Sequence, residues 1–271
     1  MLYLGVVTRF DLQTYPLIPT QYTINIYDVS DYAAILRAAV DVQEAMETDP
    51  KIGLFVNVRS TYVAVGLLYA DIPSERPKAF DSFFNLKSLI KAAVPTTNGT
   101  IYSLVTAISY TSPSARRTQS SVTTRFSPEL YIKAHEHYLQ AAKNFVGELF
   151  YIIQPLSTGA VKEGRKRGGN VLGLEEIPQT WWIISGVWTD CSQDSLAVAA
   201  VDSFRQHISS IAAEQNELLD YVFLNDGSPT QTVLDSYGAA NVQKMKEAAA
   251  KYDPEGVFQK LQNDGALLRK I

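Results

Sequence analysis

The chain has 271 residues, 46% of them hydrophobic and 19% charged, with a formal net charge of −4. That is enough apolar material for one large domain, and it excludes the basic stripe of a nucleic-acid surface and the apolar run of a membrane span. Cys191 is the single cysteine, which excludes an internal disulfide and a thiolate cluster; Asp190 and Asp194 beside it disfavour a reactive thiolate. Aromatic residues reach 11%, a content that suits sheets and pockets for organic ligands.

In chain order, Gly5 to Leu12 reads as a strand that opens abruptly, as if cut from a longer chain. Tyr22 to Tyr27 is a second strand. Ser30 caps a helix running to about Thr48, with Ala33, Leu36, Val40 and Met46 at helical spacing, and Asp49-Pro50 ends it. Ile52 to Arg59 and Tyr62 to Tyr69 form a hairpin. Phe83 to Val94 reads as a partly helical connection, and Pro95 to Gly99 as a turn.

Arg117 to Phe126 alternates as a strand. Ser127-Pro128-Glu129 opens a helix that extends to about Val146, with Pro at the first helical position. Glu148 to Gln154 is a strand, Val161 to Gly169 a polar loop, and Trp181 to Trp188 a strand. Asp194 to Glu214 is a helix with Leu196, Ala200, Phe204, Ile208 and Ile211 on one stripe. Tyr237 to Tyr252 is the last long helix, closed by Asp253-Pro254-Glu255-Gly256. This order predicts an α+β fold: one large antiparallel sheet with helices on one face.

Alternation splits each strand between two faces. The face of Gln154 is taken as the ligand face of its strand. Gln119, Ser121 and Thr123 form a polar row on the neighbouring strand, and Trp182 is placed with them. His135 and His137 sit two apart on a helix, point to different faces, and read as surface histidines. No Gly-x-Ser-x-Gly elbow or Gly-Lys-Ser/Thr phosphate loop occurs.

Three segments resemble the berberine-bridge-enzyme-like flavoproteins of the vanillyl-alcohol-oxidase fold group. The first is Gly5-Val6-Val7-Thr8-Arg9-Phe10-Asp11-Leu12. The second is Gly169-Asn170-Val171-Leu172-Gly173-Leu174, followed by Trp181 or Trp182 and by Trp188-Thr189-Asp190. The third comprises Phe223-Leu224-Asn225, Ser236-Tyr237-Gly238-Ala239-Ala240-Asn241 and Lys251-Tyr252-Asp253-Pro254-Glu255-Gly256-Val257-Phe258.

The resemblance maps the chain onto the second half of a typical member. It implies that 1–20 is a remnant strand of the FAD-binding domain, 21–218 the substrate-binding domain, and 219–271 a closing segment that returns to the FAD domain. The cofactor it implies is FAD, with Gly5, Val6, Val7, Asn225 and Asn241 at the edge of the cofactor site. Gln119, Ser121, Thr123, Gln154, Trp182 and Phe223 would then face the substrate. Several members use the Tyr of a Tyr-x-Asn motif as base; Phe223 stands at that position and has no proton acceptor.

The implied activity is hydride removal from an alcohol or amine carbon of a small organic substrate in secondary metabolism. The Gly-rich turns that would hold the FAD diphosphate are missing, so a separate FAD-binding domain or chain is the implied partner. A non-redox isomerase or cyclase, a binding module reusing the same sheet, and an inactive fragment are the alternatives.

Overall fold

The strand Ile52–Val58 alternates strictly between buried and half-buried side chains. Ile52, Leu54, Val56 and Val58 form one face, and Gly53, Phe55 and Asn57 the other. This pattern recurs across the computed structural model, which describes residues 8–109, 113–263 and 265–271.

The strands are β1 (Thr20–Asp28), β2 (Ile52–Val58), β3 (Tyr62–Tyr69), β4 (Leu89–Gly99), β5 (Arg116–Thr124), β6 (Glu148–Leu156), β7 (Gln179–Trp188) and β8 (Leu218–Leu219). They form one sheet in the order β4-β1-β3-β2-β6-β7-β5-β8, with every pair antiparallel. The helices are α1 (Tyr32–Met46), α2 (Asp81–Phe84), α3 (Ile101–Ile108), α4 (Pro128–Lys143), α5 (Thr158–Lys166), α6 (Asp194–Glu214), α7 (Ala239–Tyr252) and α8 (Val257–Lys260). The expected α+β architecture is therefore present.

The main core lies between the sheet and helices α1, α4 and α6. Val56, Val65, Leu67, Tyr151, Ile153, Trp182 and Ile184 meet Ile35, Leu36, Ala39, Leu130, Tyr131, Tyr138, Phe204 and Ile208 there. Each large aliphatic side chain so buried contributes about 1.5–3 kcal/mol. Aromatic rings dominate the centre: Trp182 meets Tyr131 edge-on at 5.1 Å, and Tyr138 meets Tyr151 at 5.1 Å. One polar cluster inside this layer is fully paired, whereas His135 Nε2 has no partner among the described residues. Gln43 donates to Thr180 Oγ1 at 2.8 Å and accepts from the Tyr131 hydroxyl at 2.7 Å, joining α1, α4 and β7.

Several expectations are corrected. Residues 8–12 of the expected first strand lie outside the sheet and are exposed; Gly5, Val6 and Val7 fall outside the described residues. The connection after α2 is mostly edge strand, because β4 pairs with β1 from Leu89 to Gly99. Pro95 is tolerated there because the register slips beside it, so no ladder N–H is needed. The polar loop at 161–169 is largely helix α5, whose Glu163 and Arg167 pair one turn apart at 2.6 Å. Gly168 and Gly169 end that helix with φ of +108° and +72°.

His135 is a core residue, not a surface one. It is fully buried, stacks on Tyr32 at 4.3 Å, and its Nδ1 lies 2.9 Å from the Tyr151 hydroxyl. Burial pulls its pKa down from 6.5 to about 4.

Two stability predictions result. Thr180→Val strands the Gln43 amide and should cost about 1–3 kcal/mol in urea unfolding. Below pH 6.5 the unfolded chain takes up a proton that folded His135 refuses until about pH 4. Stability should therefore fall with acidification across that window, by up to about 3 kcal/mol. His135→Gln should flatten the slope, measured as unfolding free energy against pH.

Candidate functional site

The second face of the sheet is covered at its two ends only, by α3 and by the C-terminal segment that includes α7. At one end Leu104 of α3 covers Tyr22 and Ile24. At the other end the C-terminal segment forms its own small core of Tyr221, Val233, Leu234, Tyr237, Met245, Leu267 and Leu268, which packs on Trp181. At the centre, between these covers, Asn57, Phe150, Ile152, Gln154 and Gln119 keep partial or full solvent access, whereas Ser121 and Ile183 are buried.

Cross-strand register arranges that centre in rows, because directly opposed residues share a face. Asn57, Ile152, Ile183 and Ser121 form one row across β2, β6, β7 and β5. Phe150, Ser185 and Gln119 form the next, and Gln154, Trp181 and Thr123 flank them on the other side. Gly66 belongs to the same face: a Cβ there would meet the Phe55 ring at 2.0 Å, so only glycine lets that ring lie across β3.

A cleft of about 720 Å³ opens over Phe150, Ser185 and Gln119. Its size suits a drug-sized organic ligand. Gln119 Nε2 donates to Ser185 Oγ at 3.2 Å, which leaves a neutral polar pair on the floor. The Arg59 guanidinium lies 4.2 Å over the Phe150 ring and pairs with Glu148. Arg117 donates to the Pro113 carbonyl at 2.8 Å and to that of Ala115 at 3.2 Å, so it clasps the loop at the rim. The arrangement offers one flat apolar surface, two neutral hydrogen-bonding groups and a charged edge.

The structure separates the residues expected here. Gln119 lines the cleft. Gln154 is half-buried on the same face, beside Trp181. Ser121 and Thr123 are on it as well, but fully buried, with hydroxyls that have no hydrogen-bond partner. Phe223 packs on Trp181, ring centroids 4.7 Å apart, as part of the C-terminal cover.

Trp182 is a correction. It is fully buried on the helix face, where its Nε1–H donates to Thr124 Oγ1 at 2.9 Å, and it cannot touch a ligand on the other face. Its neighbour Trp181 occupies the open face instead. The alternation that groups Trp181 with Ser185 carried this signal. Phe150 was legible from Gln154 by the same rule; nothing in the sequence marked Arg59.

Asn225 is exposed in a turn that Asp226 N–H closes on the Phe223 carbonyl at 3.0 Å. Asp226 is half-buried there, and burial raises its carboxyl pKa. Asn241 donates to the Tyr237 carbonyl at 2.9 Å. Gly173, with φ of +72°, packs against that same carbonyl, and a Cβ would meet it at 2.3 Å.

Gln231 escaped the sequence reading. Its side-chain amide accepts from Ser121 N–H at 3.1 Å and donates to Ser121 C=O at 2.7 Å, so it extends the sheet past the short β8. No group of three or more potential metal ligands occurs among the described residues.

The Phe150 floor of the cleft suits a flat ring system, whereas the glycine pair after α5 does not suit a diphosphate. A diphosphate needs glycine-rich N–H donors at a helix N-terminus. Gly168 and Gly169 close the C-terminal end of α5, where backbone carbonyls gather.

No family model matches the chain. It is 32% identical to an FAD-dependent monooxygenase of Arthrobotrys oligospora, covering 97% of this chain and 52% of that protein. It is 29% identical to an FAD-dependent monooxygenase of Aspergillus niger (98% and 46%) and 29% identical to the bifunctional solanapyrone synthase of Alternaria solani (95% and 50%). The chain thus spans about half the length of the curated relatives it matches.

Among solved structures, it resembles a chitooligosaccharide oxidase with a TM-score of 0.71 at 15% identity, over 94% of this chain and 57% of the other. The 6-hydroxy-D-nicotine oxidase of Arthrobacter nicotinovorans gives 0.69 at 12% identity, over 90% and 55%. These likenesses establish the fold as one found in FAD-linked oxidases of the vanillyl-alcohol-oxidase and berberine-bridge-like type.

Replacing Gln231 tests the edge closure. Gln231→Leu should cost about 1–3 kcal/mol and speed amide exchange at Ser121, read by hydrogen exchange. Unchanged protection would show that the amide is not what closes the strand.

Proposed function

We propose that this chain is the substrate-facing half of an FAD-linked oxidoreductase of secondary metabolism, of the kind found in fungi, acting on an alcohol or amine carbon of a small organic molecule. The observation that carries the reading is the accessible cleft over Phe150, Ser185 and Gln119, on the face of the antiparallel sheet opposite α1, α4 and α6. The relatives named FAD-dependent and the flavoenzyme neighbours support it.

FAD, when bound, supplies the hydride acceptor. This chain's residues would cover the ring and position the substrate. Phe150 and Ile152 would exclude water, and Gln119, Ser185 and Gln154 would orient polar groups. Asn225 and Asn241, with Gly5, Val6 and Val7, are proposed for the cofactor edge. The diphosphate contacts would come from a separate FAD-binding domain or chain.

Phe223 cannot accept a proton. Asp226, raised in pKa and three residues on, is the acid available in the same turn. A second reading, a non-redox isomerase, cyclase or binding module, is favoured by that missing base and by the neutral Gln119–Ser185 pair.

Co-expression tests the proposal. The chain should elute with the half of the Arthrobotrys relative that it does not match, as a yellow complex. By itself, after incubation with FAD and desalting, it should be colourless, because few cofactor contacts remain to offset the cost of association. Ile152→Asp, on the open face, should weaken assembly more than about tenfold while leaving the thermal midpoint near wild type. A soluble yellow complement eluting apart from this chain would overturn the reading. Turnover of a metabolite extract without flavin would favour the second.

A further inference from the structure

Asn98-Gly99-Thr100 is the one Asn-x-Ser/Thr sequence in the chain. Such a triplet is an acceptor for N-linked glycosylation where the fold leaves its asparagine on the surface. Chance also supplies triplets of this kind, so the fold around this one decides its meaning.

Asn98 stands next to the end of β4, an edge strand of the sheet that pairs with β1. Its side chain is exposed. The Asn98 Oδ1 accepts from Gln21 Nε2 at 3.0 Å, which orients the amide; its Nδ2 makes no hydrogen bond among the described residues. The other two positions have local roles. A Cβ at Gly99 would meet Ser103 Oγ at 2.3 Å, and Thr100 Oγ1 caps α3 by accepting from Ser103 N–H at 3.1 Å. Neither role uses the Asn98 amide nitrogen, so acceptor and helix cap coexist.

The surroundings supply a reason for a cover. An open strand edge is a template for pairing with another chain. Lys91 and Pro95 blunt the earlier part of β4, because a charge and a missing N–H both oppose such pairing. Thr96 to Gly99 carry neither. Directly beyond them Ile101, Tyr102 and Val105 of α3 are 52%, 81% and 50% exposed, which continues the open edge as an apolar patch.

We propose that Asn98 carries an N-linked glycan, which shields the Thr96–Gly99 edge and the exposed side of α3. The co-reactant is an oligosaccharide carried on a lipid diphosphate. A bond forms between Asn98 Nδ2 and the sugar C1 as the C1–O bond breaks; the lipid diphosphate leaves and the displaced amide proton goes to solvent. No electron transfer is involved. The site lies at the opposite end of the sheet from the cleft over β5, β6 and β7, so it is independent of the flavin reading.

Expression of the chain in yeast behind a cleavable secretion leader tests this, with the mass read on secreted and retained chain alike. Wild type should run as a heavier species that peptide-N-glycosidase collapses to the bare mass. Digestion in heavy-oxygen water should place the label at position 98, where the enzyme converts Asn98 to aspartate. Asn98→Gln should abolish the shift and Thr100→Ser should retain it. Thr100→Asp should also abolish it while keeping the thermal midpoint, because Asp caps a helix at least as well as Thr. Enzymatic removal of the glycan should increase self-association, read by light scattering. An unmodified Asn98 in wild type, or a glycan whose removal leaves self-association unchanged, would overturn the assignment.

Discussion

The placement of Trp182 decides what the rest of the molecule can do. Its ring is enclosed by Tyr131 and Tyr151, and its indole N–H is satisfied by Thr124. A strand side chain cannot move to the other face without shifting register by one residue. Once Trp182 is locked toward the helices, Trp181, Ile183 and Ser185 are committed to the opposite face. The neighbouring strands follow through their register: Phe150, Ile152 and Gln154 on β6, and Gln119, Ser121 and Thr123 on β5.

The two faces have different chemistry. The helix face is aliphatic and aromatic, with a paired Gln43–Tyr131–Thr180 cluster. The other face mixes rings with amides and hydroxyls, and two of its fully buried hydroxyls, on Ser121 and Thr123, have no partner. Buried polar groups are normally paired, and His135 Nε2 on the helix side is a further exception. Relatives named FAD-dependent monooxygenases are about twice as long as this chain.

The C-terminal segment shows how local sequence and tertiary context combine. Asp253 accepts from the N–H groups of Val257 and Phe258 at 2.7 and 2.9 Å, so its turn is built locally, as the Asp-Pro-Glu-Gly run implies. Nothing local predicts that Gln231 reaches back 110 residues to complete the edge of β5. Nor does spacing show that His137 meets His207, since that contact depends on the lateral packing of α4 and α6.

The sequence by itself determined the fold class, the order of most elements and the membership of each strand face, because side-chain periods of 2 and 3.6 are local properties of the backbone. It could not determine which face would be covered: Trp181-Trp182 puts an equally large ring on each side, and only packing against α4 and α6 selects Trp182. It misread 89–99 and 161–169 for the same kind of reason. The strand at 89–99 exists because β1 offers an unpaired edge, and the helix at 161–166 tolerates Gly164 because the Glu163–Arg167 pair and packing of Val161 support it. The β1 edge is distant in the chain and tertiary structure alone supplies it, as it does the packing of Val161, whereas the Glu163–Arg167 pair is local and readable at i,i+4 spacing.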